Sequence, residues 1–293
     1  MKIKETPGER VFTVCNTLFM IILMVLMLYP LYYVLMASFS MPSQMAAHRG
    51  LLLAPQGFQI ESYKLVFQNK DILSGYGNTI FYTVAGTVIS VTLTVMLGYV
   101  LSRRDLMLKK PLMIIIVITM FFGGGMIPTY LMMSQIGLMG TRGAVLLPGL
   151  VSTTNVIIMR TAFQGIPDSL EESARMDGAN DIVILLKIML PLAMPTISVM
   201  LLFYGVGRWN AWFDAMLYLR DRSKFPLQLI LREILVYSGT GDMLVSWGSF
   251  NGQDMSEIIK YTTIVVATVP ILCIYPLLQK NFVKGVMIGA IKG

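Results

Sequence analysis

Long apolar runs separated by short polar segments dominate the hydropathy pattern of this chain. A membrane-spanning helix needs about 20 mostly apolar residues, and the sequence contains six runs of this kind. They cover 11–39, 78–101, 111–134, 143–163, 190–219 and 261–278. The pattern predicts an all-α integral membrane protein with six transmembrane helices. The first run is too long for the apolar part of a secretory signal, so we expect it to be retained.

The polar segments between the runs define the rest of the predicted organisation. A cytoplasmic N-terminal segment (1–10) precedes the first helix (11–39), an external loop (40–77) and a core domain (78–293) with the other five spans. The core domain contains a cytoplasmic loop (164–190), an external loop (220–260) and a cytoplasmic tail (279–293). The two external loops are long enough to dock a partner, although simple solvated loops fit their composition equally well.

Basic residues beside the short loops predict the orientation of the spans. The segment "SRRDLMLKK" carries four basic residues, whereas "QIGLMGTR" carries one. Lys and Arg near helix ends tend to stay in the cytoplasm. We therefore expect the first of these loops, and both termini, on the cytoplasmic side.

Composition narrows the protein class further. Hydrophobic residues make up 55% of the chain and charged residues 13%, against about 25% charged in soluble domains. The net charge of +7 comes from basic residues that flank apolar runs. This distribution favours charge at the membrane surface over a nucleic-acid binding face. Cys15 and Cys273 lie inside apolar runs and are expected to be small buried hydrophobic residues.

The loop at 164–190 differs from the others because it is rich in acidic residues. Asp168 and Glu171, after Pro167, resemble a capping box at a helix start, and Gly178 provides a helix end. The spacing of Leu170, Ala174 and Asp177 predicts that they share one helix face.

Such a helix can sit in a groove of a partner protein or lie on lipid headgroups. The acidic face disfavours the second interpretation, because anionic headgroups would repel it.

The same loop resembles the signature loop of permeases in bacterial ABC importers. The family pattern is Glu-Ala-Ala, three residues, Gly, nine residues, Ile, one residue, Leu-Pro. The matching positions here are Glu172, Ser173, Ala174, Gly178, Ile188, Leu190 and Pro191. Ser173 replaces the first Ala, a change between small residues that preserves close packing.

The resemblance covers nearly the whole chain. "EESARMDGA" is similar to the version of the motif in carbohydrate permeases of the maltose type. The segments "FFGGGMIPTYL", "GRWNAWFDAMLYL" and "LLQKNFVKGVMIGAIKG" resemble the subgroup that includes the lipoprotein-operon permease and permeases for oligomers of acidic sugars such as alginate or pectin.

The resemblance implies the six-helix MetI-like permease fold and half of a translocation path for an oligosaccharide, in a bacterial plasma membrane. It implies a second, different permease subunit, two ATPase subunits that bind ATP and Mg, and an extracytoplasmic solute-binding protein. It assigns no cofactor, metal or catalytic residue to this chain. The residues that it implies for ATPase coupling are Glu171, Glu172, Ser173, Ala174, Asp177, Gly178 and Ala179.

Other function classes fit less well. The sequence has no GxxxxGK[ST] phosphate loop and only one histidine, His48, which disfavours an enzyme. A secondary transporter driven by an ion gradient is the main alternative, but it normally needs ionisable residues near the middle of the membrane, and these spans contain few.

The fifth apolar run contains a cluster of aromatic and polar residues for which two interpretations remain open. The cluster comprises Tyr204, Arg208, Trp209, Asn210, Trp212 and Phe213. A continuous helix would place Arg208 about 26 Å beyond Pro191, near the outer membrane surface. The cluster is either an interfacial aromatic belt with Arg208 reaching the headgroups, or a sugar path formed by these residues.

Gly123, Gly124 and Gly125, before Pro128, interrupt the third run. Close helix packing is the favoured explanation and a hinge the alternative.

Overall fold

The computed structural model describes residues 6–237, 257–273 and 276. The chain divides into two compact units, Met1–Asn69 with Glu233–Thr268, and Lys70–Arg232 with Val269–Gly293. We predicted that the core domain starts at residue 78, whereas the second unit starts at Lys70. The tail at 279–293 and residues 238–256 of the predicted external loop at 220–260 lie outside the described residues.

The described part of the chain is mostly helical. The helices of the first unit are α1 (Pro7–Ser38), α2 (Pro42–Ala47) and α3 (Glu61–Gln68). Those of the second are α4 (Lys70–Ser102), α5 (Lys109–Phe121), α6 (Met126–Gln135), α7 (Arg142–Leu146), α8 (Thr153–Gln164), α9 (Asp168–Met176), α10 (Asp181–Ile184), α11 (Leu190–Leu192), α12 (Met194–Trp209) and α13 (Phe213–Tyr218). A π-helical turn (Leu185–Met189) joins α10 to α11, and a 3₁₀ turn (Arg222–Lys224) follows α13. Helix α14 (Leu227–Tyr237) spans the division between the units, and a further helix, α15, covers 257–273.

Helix α1 is a long apolar helix with a defined beginning. Thr6 and Glu9 form a capping box, in which the Thr6 N–H donates to Glu9 Oε2 over 2.7 Å. Most of its apolar side chains are exposed, as expected for a helix that faces lipid. Cys15 on this helix and Cys273 on α15 are also exposed, so the prediction that they are buried is wrong.

The first unit has its own small core. Ala37, at the end of α1, packs with Met45, Leu52 and Ile258. These side chains bring the end of α1, α2, the segment after it and the start of α15 together.

Helix α4 is the central helix of the second unit and packs against both α8 and α12. Buried residues occur along its whole length, including Ser90 and Thr94. At Gly98 an added Cβ would lie 3.0 Å from Met159 Cβ and 3.1 Å from the Arg160 nitrogen. The glycine therefore allows α4 and α8 to approach closely.

Two of the predicted spans are sharply bent. Helices α5 and α6 meet at 112°, and the helical stretch Asp181–Leu192 meets α12 at 83°. In the described residues, α1 and α4 are long and apolar enough to cross a membrane alone, and each bent pair provides one further candidate span. The fold class is confirmed as an all-α membrane protein. The assumption of a continuous fifth helix is wrong, because the chain turns at Ala193.

The remaining predicted spans differ from simple helices. The run at 143–163 is divided between α7 and α8, and the run at 261–278 extends beyond the described part of α15. The second span starts at Lys70, earlier than predicted.

The glycine run at 123–125 lies at the break between α5 and α6, where Gly125 has φ +80°. A Cβ added at Gly123 or Gly125 would meet no atom of the described chain within 4 Å. Close packing within this chain is therefore not the role of these glycines. They lie at the bend between α5 and α6, and a hinge at this point stays a prediction.

Candidate functional site

Helix α9 has an irregular beginning and a well-defined end. It starts after Pro167, and no side chain caps its first turn, so the predicted capping box of Asp168 and Glu171 is wrong. At its end the Gly178 N–H donates to the Arg175 carbonyl and the Ala179 N–H to the Ala174 carbonyl. This is a Schellman motif. Gly178 adopts φ +82°, as its predicted role at the helix end requires.

The residues proposed for coupling divide between two faces of this segment. Glu171, Ala174 and Ala179 are half-buried, and the two alanines pack against the core of the second unit. The exposed members are Glu172, Ser173, Asp177 and Gly178. Leu170 and Asp177, predicted to share a face with Ala174, are exposed, so of these three residues Ala174 alone is half-buried. Met176 is 88% exposed, so the outward face combines an acid with apolar side chains.

Glu171 is paired with basic residues of the same chain. Its carboxylate forms an ion pair with Arg103, just after α4, and lies 3.1 Å from the Arg175 NH2 group. Burial raises the pKa of the Glu171 carboxyl, and the positive charge of Arg103 opposes that change. Nearby, Arg104 pairs with Asp168 over 2.5 Å at the exposed start of α9.

These charged groups line a polar cavity of about 410 Å³ between the end of α4 and α9. Its walls include Arg103, Arg104, Glu171 and Glu172, with Phe163 at the apolar side. Among the described residues, no group of three His, Cys, Asp or Glu side chains is arranged to hold a metal ion. The arrangement is suited to holding a helix in place through balanced charges.

A second cavity, of about 440 Å³, lies beside α12. Tyr204 and Arg208 both line it. The Tyr204 hydroxyl lies 2.7 Å from Thr94 Oγ1 and accepts a hydrogen bond from the Ser152 N–H at 3.0 Å. It therefore joins α12 to α4 and to the start of α8.

Arg208 binds the backbone of the same chain. Its NH1 group donates to the Val145 carbonyl over 2.9 Å and its NH2 group to the Pro148 carbonyl over 3.2 Å. Its Nε lies 3.1 Å from the position of a Cβ added at Gly86 of α4. These contacts hold the guanidinium between α4 and the stretch from Val145 in α7 to Pro148. Both interpretations of Arg208, the aromatic belt and the sugar path, stay predictions.

The other predicted path residues do not line this cavity. Trp209 is buried, with its ring 6.5 Å from that of Tyr76. Asn210 is exposed, and its amide donates to the Val206 carbonyl at the end of α12. The Arg232 guanidinium lies over the Trp212 ring, with 4.5 Å between the guanidinium carbon and the ring centroid. The structure thus brings together only Tyr204 and Arg208 of the predicted set.

The sequence analysis missed Asp214, which lines the α12 cavity together with Arg208. A signal for it was present, because Asp214 is the only acidic residue in the apolar run 190–219. Acids inside apolar membrane segments usually face the protein interior or a cavity.

Comparison with known proteins identifies the family. The family profile described as "Binding-protein-dependent transport system inner membrane component" matches residues 95–213. The permease protein of the polygalacturonan/rhamnogalacturonan transport system of Bacillus subtilis (strain 168) is 40% identical over 287 residues, covering 97% of this chain and 99% of that protein. The chain belongs to this permease family.

Two further relatives of the permease support the same assignment. Protein LplC of Bacillus subtilis (strain 168) is 39% identical, covering 99% of this chain and 97% of that protein. A solved bacterial ABC transporter involved in the import of the acidic polysaccharide alginate contains a chain that is 34% identical, with a TM-score of 0.86, covering 96% of this chain and all of that one. The predicted resemblance to ABC-importer permeases of this subgroup is confirmed.

The matched region of the permease contains both parts of the candidate site. Residues 95–213 include the end of α4, all of α9, and α12 with most of its cavity. The protein is a membrane-embedded transport component.

Proposed function

We propose that this permease forms half of the translocation path of a carbohydrate importer, and that α9 couples it to separate ATPase subunits. The observation that carries the proposal is the outward face of α9, where Glu172, Ser173 and Met176 are exposed while Ala174 anchors the helix to the core. A short anchored helix with an exposed acidic and apolar face is suited to insertion into a groove of a partner protein.

The partners proposed are two ATPase subunits, a second permease subunit and an extracytoplasmic solute-binding protein. ATP and Mg bind to the ATPase subunits. The family description itself includes dependence on a binding protein, which supports the last of these partners. The chain acts as a transport subunit, and ATP hydrolysis takes place on its partners.

The orientation proposed places α9 and both termini in the cytoplasm of a bacterial cell. Support comes from the basic residues beside the end of α4, where Arg103, Arg104, Lys109 and Lys110 lie close together in sequence. Lys109 also donates to the Arg103 carbonyl over 2.9 Å, so part of this charge is fixed at the helix end.

The solute proposed is an acidic oligosaccharide. Two similar proteins point to this class, one named for polygalacturonan and rhamnogalacturonan and one described as importing alginate. We assign the α12 cavity to the solute path, with Tyr204 and Arg208 in its wall and Asp214 as a further member. Trp209, Asn210 and Trp212 are assigned to packing and helix ends.

Reconstitution of the full complex in liposomes tests this function. With ATP inside the vesicles and loaded solute-binding protein outside, we expect uptake of oligogalacturonate or oligomannuronate at a rate at least about tenfold above that of a neutral maltodextrin. Ionophores that collapse proton and sodium gradients should leave this uptake unchanged. Uptake by the chain alone that disappears with the ion gradient would instead identify a secondary transporter.

A further inference from the structure

The two adjacent glutamates of α9 have different surroundings. The Glu172 side chain points outward, whereas the Glu171 side chain is 20% exposed and forms an ion pair with Arg103, whose side chain is only 12% exposed. An ion pair that is largely shielded from water is screened less by salt than an exposed pair, and losing one partner has a larger effect.

Two further charges on α9 and α10 belong to this cluster, and Arg103 also pairs with the neighbouring Asp105, whose Oδ1 lies 3.3 Å from Arg103 Nε. Arg175 NH2 lies 3.1 Å from both Glu171 Oε1 and Asp181 Oδ1, and Arg103 NH1 lies 3.4 Å from Asp181 Oδ1. Asp181 begins α10, which leads through the π-helical turn and α11 to α12. We call Arg103, Glu171, Arg175 and Asp181 the ionic latch. It joins the end of α4, helix α9 and the start of α10.

Arg103 is itself held firmly against α4. Its NH1 group donates to the Tyr99 hydroxyl over 2.8 Å, and its guanidinium carbon lies 5.5 Å from the Tyr99 ring centroid. Tyr99 is buried, and its ring lies nearly perpendicular to that of Phe163 of α8, with 5.9 Å between the ring centroids. Lys109 caps the Ser102 and Arg103 carbonyls at the end of α4. A displacement of Arg103 is therefore a displacement of the end of α4.

Helix α4 also reaches the α12 cavity. Thr94 contacts Tyr204 and Gly86 packs against Arg208, and both partners line that cavity. A continuous set of contacts thus runs from Glu171, through Arg103 and α4, to the wall of the proposed solute path. The route along the chain from α9 to α12 passes Gly178, with its positive φ, the π-helical turn and the 83° bend at Ala193.

We propose that the ion pair between Glu171 and Arg103 transmits the displacement of α9 to α4. Glu171 and Arg103 are positioning residues in this account, and Glu172 is the acid available to the ATPase. The inference rests on the proposed coupling function of α9. When this ion pair holds α9 and α4 together, the two helices move as one rigid body. A movement of the ATPase against α9 then changes the position of α4 at the solute path.

The test uses the full complex in liposomes, with uptake and ATP hydrolysis measured on the same preparation. Arg103→Gln and Glu171→Gln should each leave assembly with the ATPase and hydrolysis stimulated by the solute-binding protein within about twofold of the wild type. Solute imported per ATP hydrolysed should fall by about tenfold. The combined loss in the double variant should be smaller than the product of the two single losses, because each single variant already lacks the contact between Glu171 and Arg103. Arg103→Lys should keep most of the coupling.

Arg104→Gln is the matched control, since Arg104 is adjacent, pairs with the same helix, and is 84% exposed. Its ratio of solute to ATP should be unchanged, as an exposed ion pair contributes little. An unchanged ratio in Arg103→Gln, or additive losses in the double variant, would overturn the latch while leaving the proposed function intact. If neither single variant yields folded protein, the ion pair is required for folding, and the proposal that it transmits displacement from α9 to α4 is also overturned. A wild-type complex without ATP-driven uptake would overturn both proposals.

Discussion

Gly178→Asp is expected to abolish ATP-driven uptake while the chain still accumulates in the membrane at a normal level. Gly178 has φ +82° and ends α9 with a Schellman motif. Asp tolerates this conformation better than most residues, so the backbone strain is at most about 1–2 kcal/mol. The main effect is a new carboxylate next to Asp177 at the exposed end of α9, on the surface proposed to contact the ATPase. The measurement is uptake, together with the amount of ATPase that copurifies.

A matched control separates contact from strain. Gly137 also has positive φ, at +72°, and like Gly178 has no atom within 4 Å of an added Cβ. Gly137→Asp introduces the same residue with similar strain, far from α9 in sequence, and should keep at least half of the uptake. Equal losses in the two variants would show that strain explains the effect. Normal uptake by Gly178→Asp would contradict the role of α9.

Arg208→Ala is expected to reduce uptake by at least about tenfold and to lower the thermal midpoint of the purified complex. The change removes both hydrogen bonds to the Val145 and Pro148 carbonyls. An unpaired buried polar group costs about 1–3 kcal/mol. The void left beside Gly86 also loosens the contact between α4 and α12. Thermal midpoint, uptake rate and apparent affinity are the quantities to measure.

Two comparisons make the Arg208 result specific. Arg220→Ala removes an exposed arginine shortly after α13 and should change neither uptake nor thermal midpoint. Arg208→Lys keeps the positive charge, but the single ammonium group of lysine cannot replace the planar guanidinium that donates to both the Val145 and the Pro148 carbonyl. If Arg208 also faces the solute, the Ala variant loses more uptake of an acidic oligosaccharide than of a neutral one. Normal uptake of both by Arg208→Ala would exclude the cavity from the solute path.

Local chemistry explains what the sequence predicted well. The end of α9 was predictable because a glycine with positive φ and the hydrogen bonds around it depend only on neighbouring residues. The apolar runs predicted α1 and most of α4 for a similar reason, since length and hydropathy suffice to define a membrane helix.

Contacts between distant residues explain what the sequence did not predict. Asp168 and Glu171 have the spacing of a capping box, but Arg103 takes up the Glu171 carboxylate, and nothing in the loop indicates that arginine. The separation of Trp209 and Trp212 from the α12 cavity also depends on packing. Two features did have a local signal that could have been used. Pro191 and Pro195 flank the turn at Ala193, and proline interrupts a helix. Asp214 is an acid within an apolar run.

Crosslinking from α9 tests the central claim most directly. With Cys15 and Cys273 replaced by Ala, single cysteines are introduced at Ser173, which is exposed, and at Ala174, which packs on the core. The account predicts that Ser173→Cys crosslinks to the ATPase in the assembled complex, and that Ala174→Cys does so much more weakly. Absence of any crosslink from Ser173→Cys, with that cysteine labelled in intact cells by a thiol reagent that cannot cross the membrane, would contradict it.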